Sequence, residues 1–92
     1  MDYTRDTSMT YVKDSTVVTC SITTKTNTFR AVYSHCGDKV TSNIVVSNTE
    51  GSILGSIKSD ANQFVTLHTA QSLLYNIRHA TTAEAKAIIA QW

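Results

Sequence analysis

The most chemically suggestive run of the chain is His35-Cys36-Gly37-Asp38, in which a thiol stands between an imidazole and a carboxylate. A nucleophilic cysteine needs a base within hydrogen-bond reach. The run closes a predicted strand, and neighbouring strand residues point to opposite faces of a sheet. Because His35 is therefore not expected to reach the Cys36 sulfur, the run predicts a turn with an incidental thiol.

Metal and acid–base chemistry have no stronger signal. Structural zinc sites usually combine two close-spaced pairs of ligands, and the cysteines and histidines offer one such pair, at 35 and 36. His68 and His79 lie about three turns apart on a predicted helix, and no glycine-rich phosphate loop is present. The sequence therefore predicts no catalytic residue, no metal and no cofactor, and a protein that is not an enzyme.

The cysteines are predicted to be free thiols. In the strand register given below, about five rungs of ~3.3 Å separate Cys20 from Cys36 along the ribbon. A disulfide needs Cα atoms within about 7 Å. Cys20 is then a small buried hydrophobe, whereas Cys36 is exposed and could bridge two molecules. Free thiols agree with a reducing compartment.

Composition favours one small β-rich domain. The 92 residues are 41% hydrophobic and 16% charged, with a net charge of +1, and Ser and Thr make up about a quarter of the chain. Threonine favours strands and serine favours turns. The first residues have no apolar segment of a secretory signal, and no run approaches the ~20 apolar residues of a membrane span. We therefore expect a cytoplasmic protein without membrane contact.

The clearest structural pattern is a hairpin. Residues 16–23 and 28–35 alternate at period two, and the loop 24–27 that joins them has a common hairpin length. A shift of one residue would send the two apolar sets to opposite faces of the ribbon. The pattern therefore predicts a single register, with Val18 opposite Tyr33, Cys20 opposite Ala31 and Ile22 opposite Phe29.

Weaker patterns extend this hairpin into a sheet. A short strand is predicted at 9–13, a third main strand at 40–48 and a fourth at 52–58, while residues 1–8 are expected to be a flexible terminus or an edge segment. A glycine in the middle of the last strand indicates a bulge or a close approach of a helix. The last hairpin is expected to pair Ile44 with Ile57 and Val46 with Gly55.

The first helix is predicted over 66–80, where apolar residues recur at helical spacing. We favour Thr66 as its N-cap, because its hydroxyl can accept from the free N–H groups of the first turn. An alternative starts the helix at Asp60, with Gln63 completing a capping box.

A second helix is predicted over 82–91, because Thr81 and Glu84 have the spacing of a capping box. The chain therefore predicts an α+β fold and a single domain over 1–92. An antiparallel β-meander of four to five strands at 9–58 packs against two C-terminal helices at 66–92.

Candidate binding residues come from two patterns. Five basic residues fall in the sheet half, and Arg30 points away from the apolar set, so a basic sheet face could follow a phosphate backbone. Acidic residues lie among them, and no aromatic ladder accompanies them for base stacking. A C-terminal Trp, with Tyr3, Tyr11 and Tyr75, instead suggests contact with a protein. The candidate binding residues are Lys13, Lys25, Arg30, Lys39, Lys58 and Trp92.

Two functional classes therefore stay open: a small protein that acts by binding another protein, and a nucleic-acid-associated module that uses a basic sheet face. An open meander also leaves edge strands that can pair in a homodimer.

The general design resembles that of the small inhibitors that phages produce against host defence, above all the anti-CRISPR proteins. The resemblance lies in a compact single domain with a meander at 9–58, helices at 66–80 and 82–92, and no catalytic motif. It implies a protein that binds a CRISPR effector complex with its guide RNA in the host cytoplasm and blocks recognition of the target nucleic acid. No functional residue is transferred by it.

Overall fold

The computed structural model describes residues 2–92 and consists of one six-stranded sheet and two helices. The strands lie in the order β1-β2-β3-β5-β6, all neighbours are antiparallel, and the short β4 pairs with β3. The predicted α+β class is confirmed. In chain order the elements are β1 Thr4–Val12, β2 Ser15–Thr23, β3 Thr28–Cys36, β4 Lys39–Val40, β5 Ile44–Asn48, β6 Ile53–Ile57, α1 Gln63–Ile77 and α2 Thr82–Ala90.

The central hairpin has the predicted register. Ile22 pairs with Phe29, and all residues from Thr16 to Thr23 are paired with β3. The alternation of β2 and β3 places one apolar set under the helices, where it is almost fully buried. The opposite, open face of the sheet carries mainly Ser, Thr and Val. The buried residues of these two strands are Val18, Cys20, Ile22, Phe29, Ala31, Tyr33 and His35.

The first strand begins earlier than predicted. Residues 1–8 were expected to be flexible or an edge segment, but β1 already begins at Thr4 and pairs residue by residue with β2 as far as Val12. The free N–H and C=O groups along β2 need partners, and β1 supplies them even though its own apolar alternation is weak. Of the two alternatives expected for residues 1–8, the edge segment is the one that the structure shows for Thr4–Ser8.

The predicted strand 40–48 is divided in two. Residues 41–43 leave the ladder between β4 and β5, and hydroxyl groups bond the backbone of β3 in their place. The backbone N–H of Ser34 donates to Oγ of Ser42 at 3.1 Å, and Oγ1 of Thr41 donates to the carbonyl oxygen of Ser34 at 3.3 Å. Local side-chain bonds of this kind compete with strand pairing, which explains the interruption.

Gly55 shows both features that a glycine in mid-strand suggested. It pairs with Val46, as predicted, and the β5–β6 register shifts immediately beside it, between Val46 and Ser47. A Cβ atom at Gly55 would also lie 2.8 Å from Cγ2 of Ile89 in α2. The absent side chain therefore allows α2 to pack closely on β6.

The first helix begins at Gln63, so neither proposed N-cap was right. The cap is Asn62, whose Oδ1 accepts from the N–H groups of Phe64 at 2.8 Å and Val65 at 3.3 Å. Thr66 is buried in the first turn, and its hydroxyl donates to the carbonyl oxygen of Asp60 at 3.0 Å. Asn is as good an N-cap as Asp and better than Thr. Thr66 is not the cap, because its side chain is buried and its hydroxyl bonds Asp60.

The second helix has the predicted capping box. The N–H of Glu84 donates to Oγ1 of Thr81, and the N–H of Thr81 donates to the Glu84 carboxylate, both at 3.2 Å. This helix packs on β6, whereas α1 packs on β2 and β3. Neither helix covers β1, all of whose residues are exposed.

Candidate binding surface

The two ends of the sheet differ in what they display. We call the end that holds the β1–β2 turn, the β3–β4 turn and the start of α1 the upper end. The lower end holds the β2–β3 turn at 24–27 and the β5–β6 turn. The start of α1 is fixed at the upper end because the N–H of Gln63 donates to the carbonyl oxygen of Asp38 at 3.3 Å and its Nε2 donates to Oδ1 of Asp38 at 3.1 Å.

In the run from His35 to Asp38, the side chains of His35 and Cys36 point to opposite faces of the sheet, as predicted. His35 is buried on the helix side of the sheet, and its Nδ1 lies 3.0 Å from the carbonyl oxygen of Gly37. Cys36 is exposed on the other side, so the two side chains do not meet. Both cysteines are free, and burial raises the pKa of the Cys20 thiol, which keeps it protonated and unreactive. Over residues 2–92 no three metal-ligating side chains come together.

The five basic residues do not form one basic face. Lys13 lies in the β1–β2 turn, Lys39 in β4 and Lys58 immediately after β6, all toward the upper end, whereas Lys25 lies in the turn of the lower end. Arg30 is exposed on the open face in the middle of β3, between Ser21 and Ser47. Arg30 points away from the core, as predicted. The lysines lie at the strand ends, because turns favour exposed polar residues.

The lysines of the upper end also alternate with acids. Asp14 follows Lys13, Asp38 precedes Lys39, and the connector after Lys58 contains a further aspartate. No salt bridge joins any of these groups within the part of the chain from 2 to 92. The upper end therefore presents charges of both signs that remain free to pair with a partner, and it lacks the single-sign field that draws nucleic acid.

The C-terminal Trp follows a helix that runs toward this end. Helix α2 starts at the lower end, where Thr82 and Thr49 line the same cavity, and it passes over Gly55 at Ile89. The helix therefore runs in the same direction as β6 and carries Trp92 toward the upper end. Trp92 is 47% exposed, and its backbone N–H still bonds the carbonyl oxygen of Ile89 at 3.1 Å, which anchors it to the helix.

Large apolar side chains are exposed mainly toward the upper end, near both edges of the sheet. Eight of them are exposed among the described residues, and five lie there, in the last row of β1, the first turn of α1 and the C-terminus. Phe64 and Val65 are exposed because the helix, which is capped by Asn62, turns them away from the sheet. The five are Tyr11 at 78% exposure, Val12 at 48%, Phe64 at 72%, Val65 at 47% and Trp92 at 47%.

The sequence identified only part of this surface. Lys13, Lys39, Lys58 and Trp92 were predicted as binding residues, and Tyr11 was predicted to be exposed. Phe64 and Val65 were missed, because an extended entry to the helix would have left their orientation undefined. The Asn62 cap was the available signal, since an Asn two positions before apolar residues fits the N-terminus of a helix.

At the lower end, residues 2–3 contact residues 75–79 through side chains, a set of contacts that we call the clasp and that the sequence did not predict. The rings of Tyr3 and Tyr75 meet edge to face at 5.6 Å between centroids, and the guanidinium of Arg78 lies 3.8 Å from the Tyr75 centroid. Nε2 of His79 lies 2.6 Å from Oδ2 of Asp2, and this hydrogen bond lowers the pKa of the Asp2 carboxyl. These contacts hold the start of β1 against the end of α1 and give the clasp a structural role.

The open face of the sheet offers a second, smaller apolar feature. Val17, Val32 and Val45 are neighbours on β2, β3 and β5 and line a shallow cavity of about 390 Å³. Their side chains are short and half-buried, and no aromatic residue projects from this face. The open face therefore has fewer of the residues that usually dominate binding energy than the upper end has.

No helix among residues 2–92 is long and apolar enough to cross a membrane. Comparison of the chain with known protein families, with curated proteins and with solved structures found no match, and its function is therefore inferred from its own residues and their geometry.

Proposed function

We propose that this protein is a non-enzymatic binder that acts by attaching its upper end to another protein. The observation that carries the proposal is that five large apolar side chains, three of them aromatic, are exposed toward this end. Two of them, Phe64 and Val65, are adjacent on the first turn of α1. Tyr and Trp are also the residue types that most often dominate binding energy at protein interfaces.

The charged residues of the upper end support the same proposal. A protein interface typically has an apolar centre and a polar rim. The upper end has lysines next to acidic residues, at Lys13, Lys39 and Lys58. These charges of both signs would orient a partner that carries complementary charges. A surface for nucleic acid would instead need basic groups without intervening acids.

The resemblance to anti-CRISPR proteins suggests the class of partner. We infer that the partner is a CRISPR effector complex loaded with its guide RNA, and that attachment of the upper end blocks access of target nucleic acid to it. The compact single domain supports this inference, because an inhibitor that acts by occupying a surface needs no catalytic site. The action would take place in the cytoplasm of the host cell.

The test is binding of purified effector complexes by the protein and by variants of the upper end. Burial of Phe64, which is 72% exposed, would contribute about 1–2 kcal/mol, so Phe64→Ser should weaken binding by about 5- to 30-fold. Trp92→Ser should act similarly. Ile53→Ser is the matched control, because Ile53 is 68% exposed but lies on β6 at the lower end, and it should bind like the wild type.

Equal binding by all three variants would refute the role of the upper end. A failure of the wild type to bind or inhibit any effector complex would refute the inferred partner class. A salt titration separates the alternative of a nucleic-acid module: a phosphate-binding surface loses affinity steeply with salt, whereas binding anchored by Phe64 and Trp92 should change little.

A further inference from the structure

The sheet has two free edges, and they are protected very differently. The edge strand β6 has five residues, an adjacent register shift and the cover of α2. The other edge strand, β1, has nine residues, an unbroken register and no covering element. It carries Arg5 and Asp6 near its start, but it has no proline, no lysine and no bulge, which are among the devices that protect an edge from pairing.

The hydrogen-bonding groups of the β1 edge can be assigned. The turn at Lys13 and Asp14 has two residues, so Val12 and Ser15 form a hydrogen-bonded pair and such pairs recur at every second residue. Arg5, Thr7, Met9 and Tyr11 therefore direct their N–H and C=O groups away from β2. The N–H of Thr7 confirms this direction, because it donates to Oδ1 of Asp6 at 3.0 Å.

The same four residues place their side chains on the helix side of the sheet, beside the core. Met9 is 64% and Tyr11 78% exposed, because α1 packs on β2 and β3 and leaves β1 uncovered. The strand β1 therefore combines a backbone edge that has no strand partner with two large exposed apolar side chains.

We propose that β1 pairs antiparallel with β1 of a second copy around a two-fold axis through Ser8, forming a homodimer with one continuous sheet. This register pairs the strand over its whole length. It sets Arg5 opposite Tyr11 and Thr7 opposite Met9 of the second copy, and each of these pairs occurs twice. The outward backbone groups would form about eight inter-chain hydrogen bonds, two for each such pair.

Strand length favours the axis at Ser8, which alone pairs all nine residues of β1, and side-chain chemistry favours it over the axis at Met9. Directly opposed residues of an antiparallel pair lie on the same face of the sheet, so outward residues of one copy must oppose outward residues of the other. The two-fold axis therefore passes between the two copies of one residue. With the axis at Ser8, the Arg5 guanidinium meets the Tyr11 ring of the second copy, a favourable cation–π contact. With the axis at Met9, Arg5 would face Lys13 of the second copy, and opposed like charges destabilise a strand pair.

The dimer has a consequence for the proposed function. An antiparallel pair sets the two upper ends at opposite extremes of the continuous sheet. Each copy would then bind its own partner without competing with the other. The dimer would cover Tyr11 and Val12 of the upper end and leave Phe64, Val65 and Trp92 for a partner. It does not rest on the proposed function, because it is argued from the β1 edge and neither Phe64 nor Trp92 takes part.

Sedimentation of the purified protein over micromolar to millimolar concentrations tests the dimer, and Thr7→Pro tests the edge. Proline at Thr7 removes an outward N–H and leaves the β1–β2 ladder intact, so this variant should fold and remain monomeric. Ile53→Pro, on the other edge strand, is the control and should dimerise like the wild type if it folds. As a second control, Ile53→Lys leaves the backbone donor in place and should also dimerise.

Cross-linking tests the register, in a Cys36→Ser background that removes the exposed thiol. Ser8→Cys would meet its own copy across the axis at a non-hydrogen-bonded pair, with Cα atoms about 4.5 Å apart, and should oxidise readily to a disulfide dimer. Thr10→Cys should not, because Thr10 faces Asp6 of the second copy. A monomeric wild type at all concentrations, or a dimer that survives Thr7→Pro, would overturn the proposal, and cross-linking through Thr10→Cys alone would overturn the register.

Discussion

The packing of α2 on β6 can be tested at Gly55. A methyl group there would lie 2.8 Å from Cγ2 of Ile89, about 0.6 Å inside the 3.4 Å at which ordinary contact begins. Ile89 is 3% exposed and branched at Cβ, so its methyl group has no open space and a stiff χ1 angle. Relief of the overlap would require a shift of the helix or a rotamer change.

The expected cost follows from two opposing effects. Overpacking of a core contact costs about 1–3 kcal/mol, and alanine in a strand is better than glycine by about 0.5–1 kcal/mol. Gly55→Ala should therefore lower the free energy of unfolding by about 1–2 kcal/mol. For a domain of this size, that corresponds to a fall in Tm of about 4–16 °C, measurable by thermal unfolding followed by circular dichroism.

A double-mutant cycle identifies the cause. Ile89→Leu keeps the side-chain volume but removes the methyl group attached to Cβ, so this change alone should cost less than about 1.5 kcal/mol. In that background Gly55→Ala should be neutral or stabilising, which gives a coupling energy of about 1–3 kcal/mol. An equal loss in both backgrounds would show that the contact with Ile89 is not the reason for glycine at this position.

Three further predictions concern the turns, the caps and the core. Lys13 has φ 55°, a conformation that glycine adopts at little cost, so Lys13→Gly should raise the free energy of unfolding by about 1 kcal/mol; a loss in denaturant unfolding would contradict this. Thr81→Ala removes the capping box with Glu84 and should cost about 1 kcal/mol, whereas the exposed Thr82→Ala should change little. Burial raises the pKa of Tyr33 to about 12, so the folded state loses stability as pH rises from about 10; Tyr33→Phe should flatten this alkaline decline, and an unchanged decline would refute it.

The helix starts show where local sequence is sufficient and where it is not. The capping box of Thr81 and Glu84 is a bond pattern between near neighbours, so the start of α2 could be predicted correctly. The start of α1 offered several competent caps within a few residues. Asn62 is the cap because Gln63 bonds Asp38 and Thr66 becomes buried, and both contacts involve the folded sheet.

The candidate surface was likewise predictable from the sequence only in part. Lys13, Lys39, Lys58 and Trp92 could be selected from the sequence as exposed residues of binding types. Their location at one end could not, because it depends on the direction of α2 along β6 and on the return of the chain to the upper end at α1.

The sequence by itself determined the α+β class and the register of the β2–β3 hairpin. A period-two pattern with one buried face permits a single register, because a slip by one residue would expose every apolar side chain. The tertiary structure decided that β1 begins at Thr4, that β4 and β5 separate, and that five large apolar side chains are exposed toward the upper end. These features depend on contacts between residues distant in sequence, whose free energies no local pattern contains.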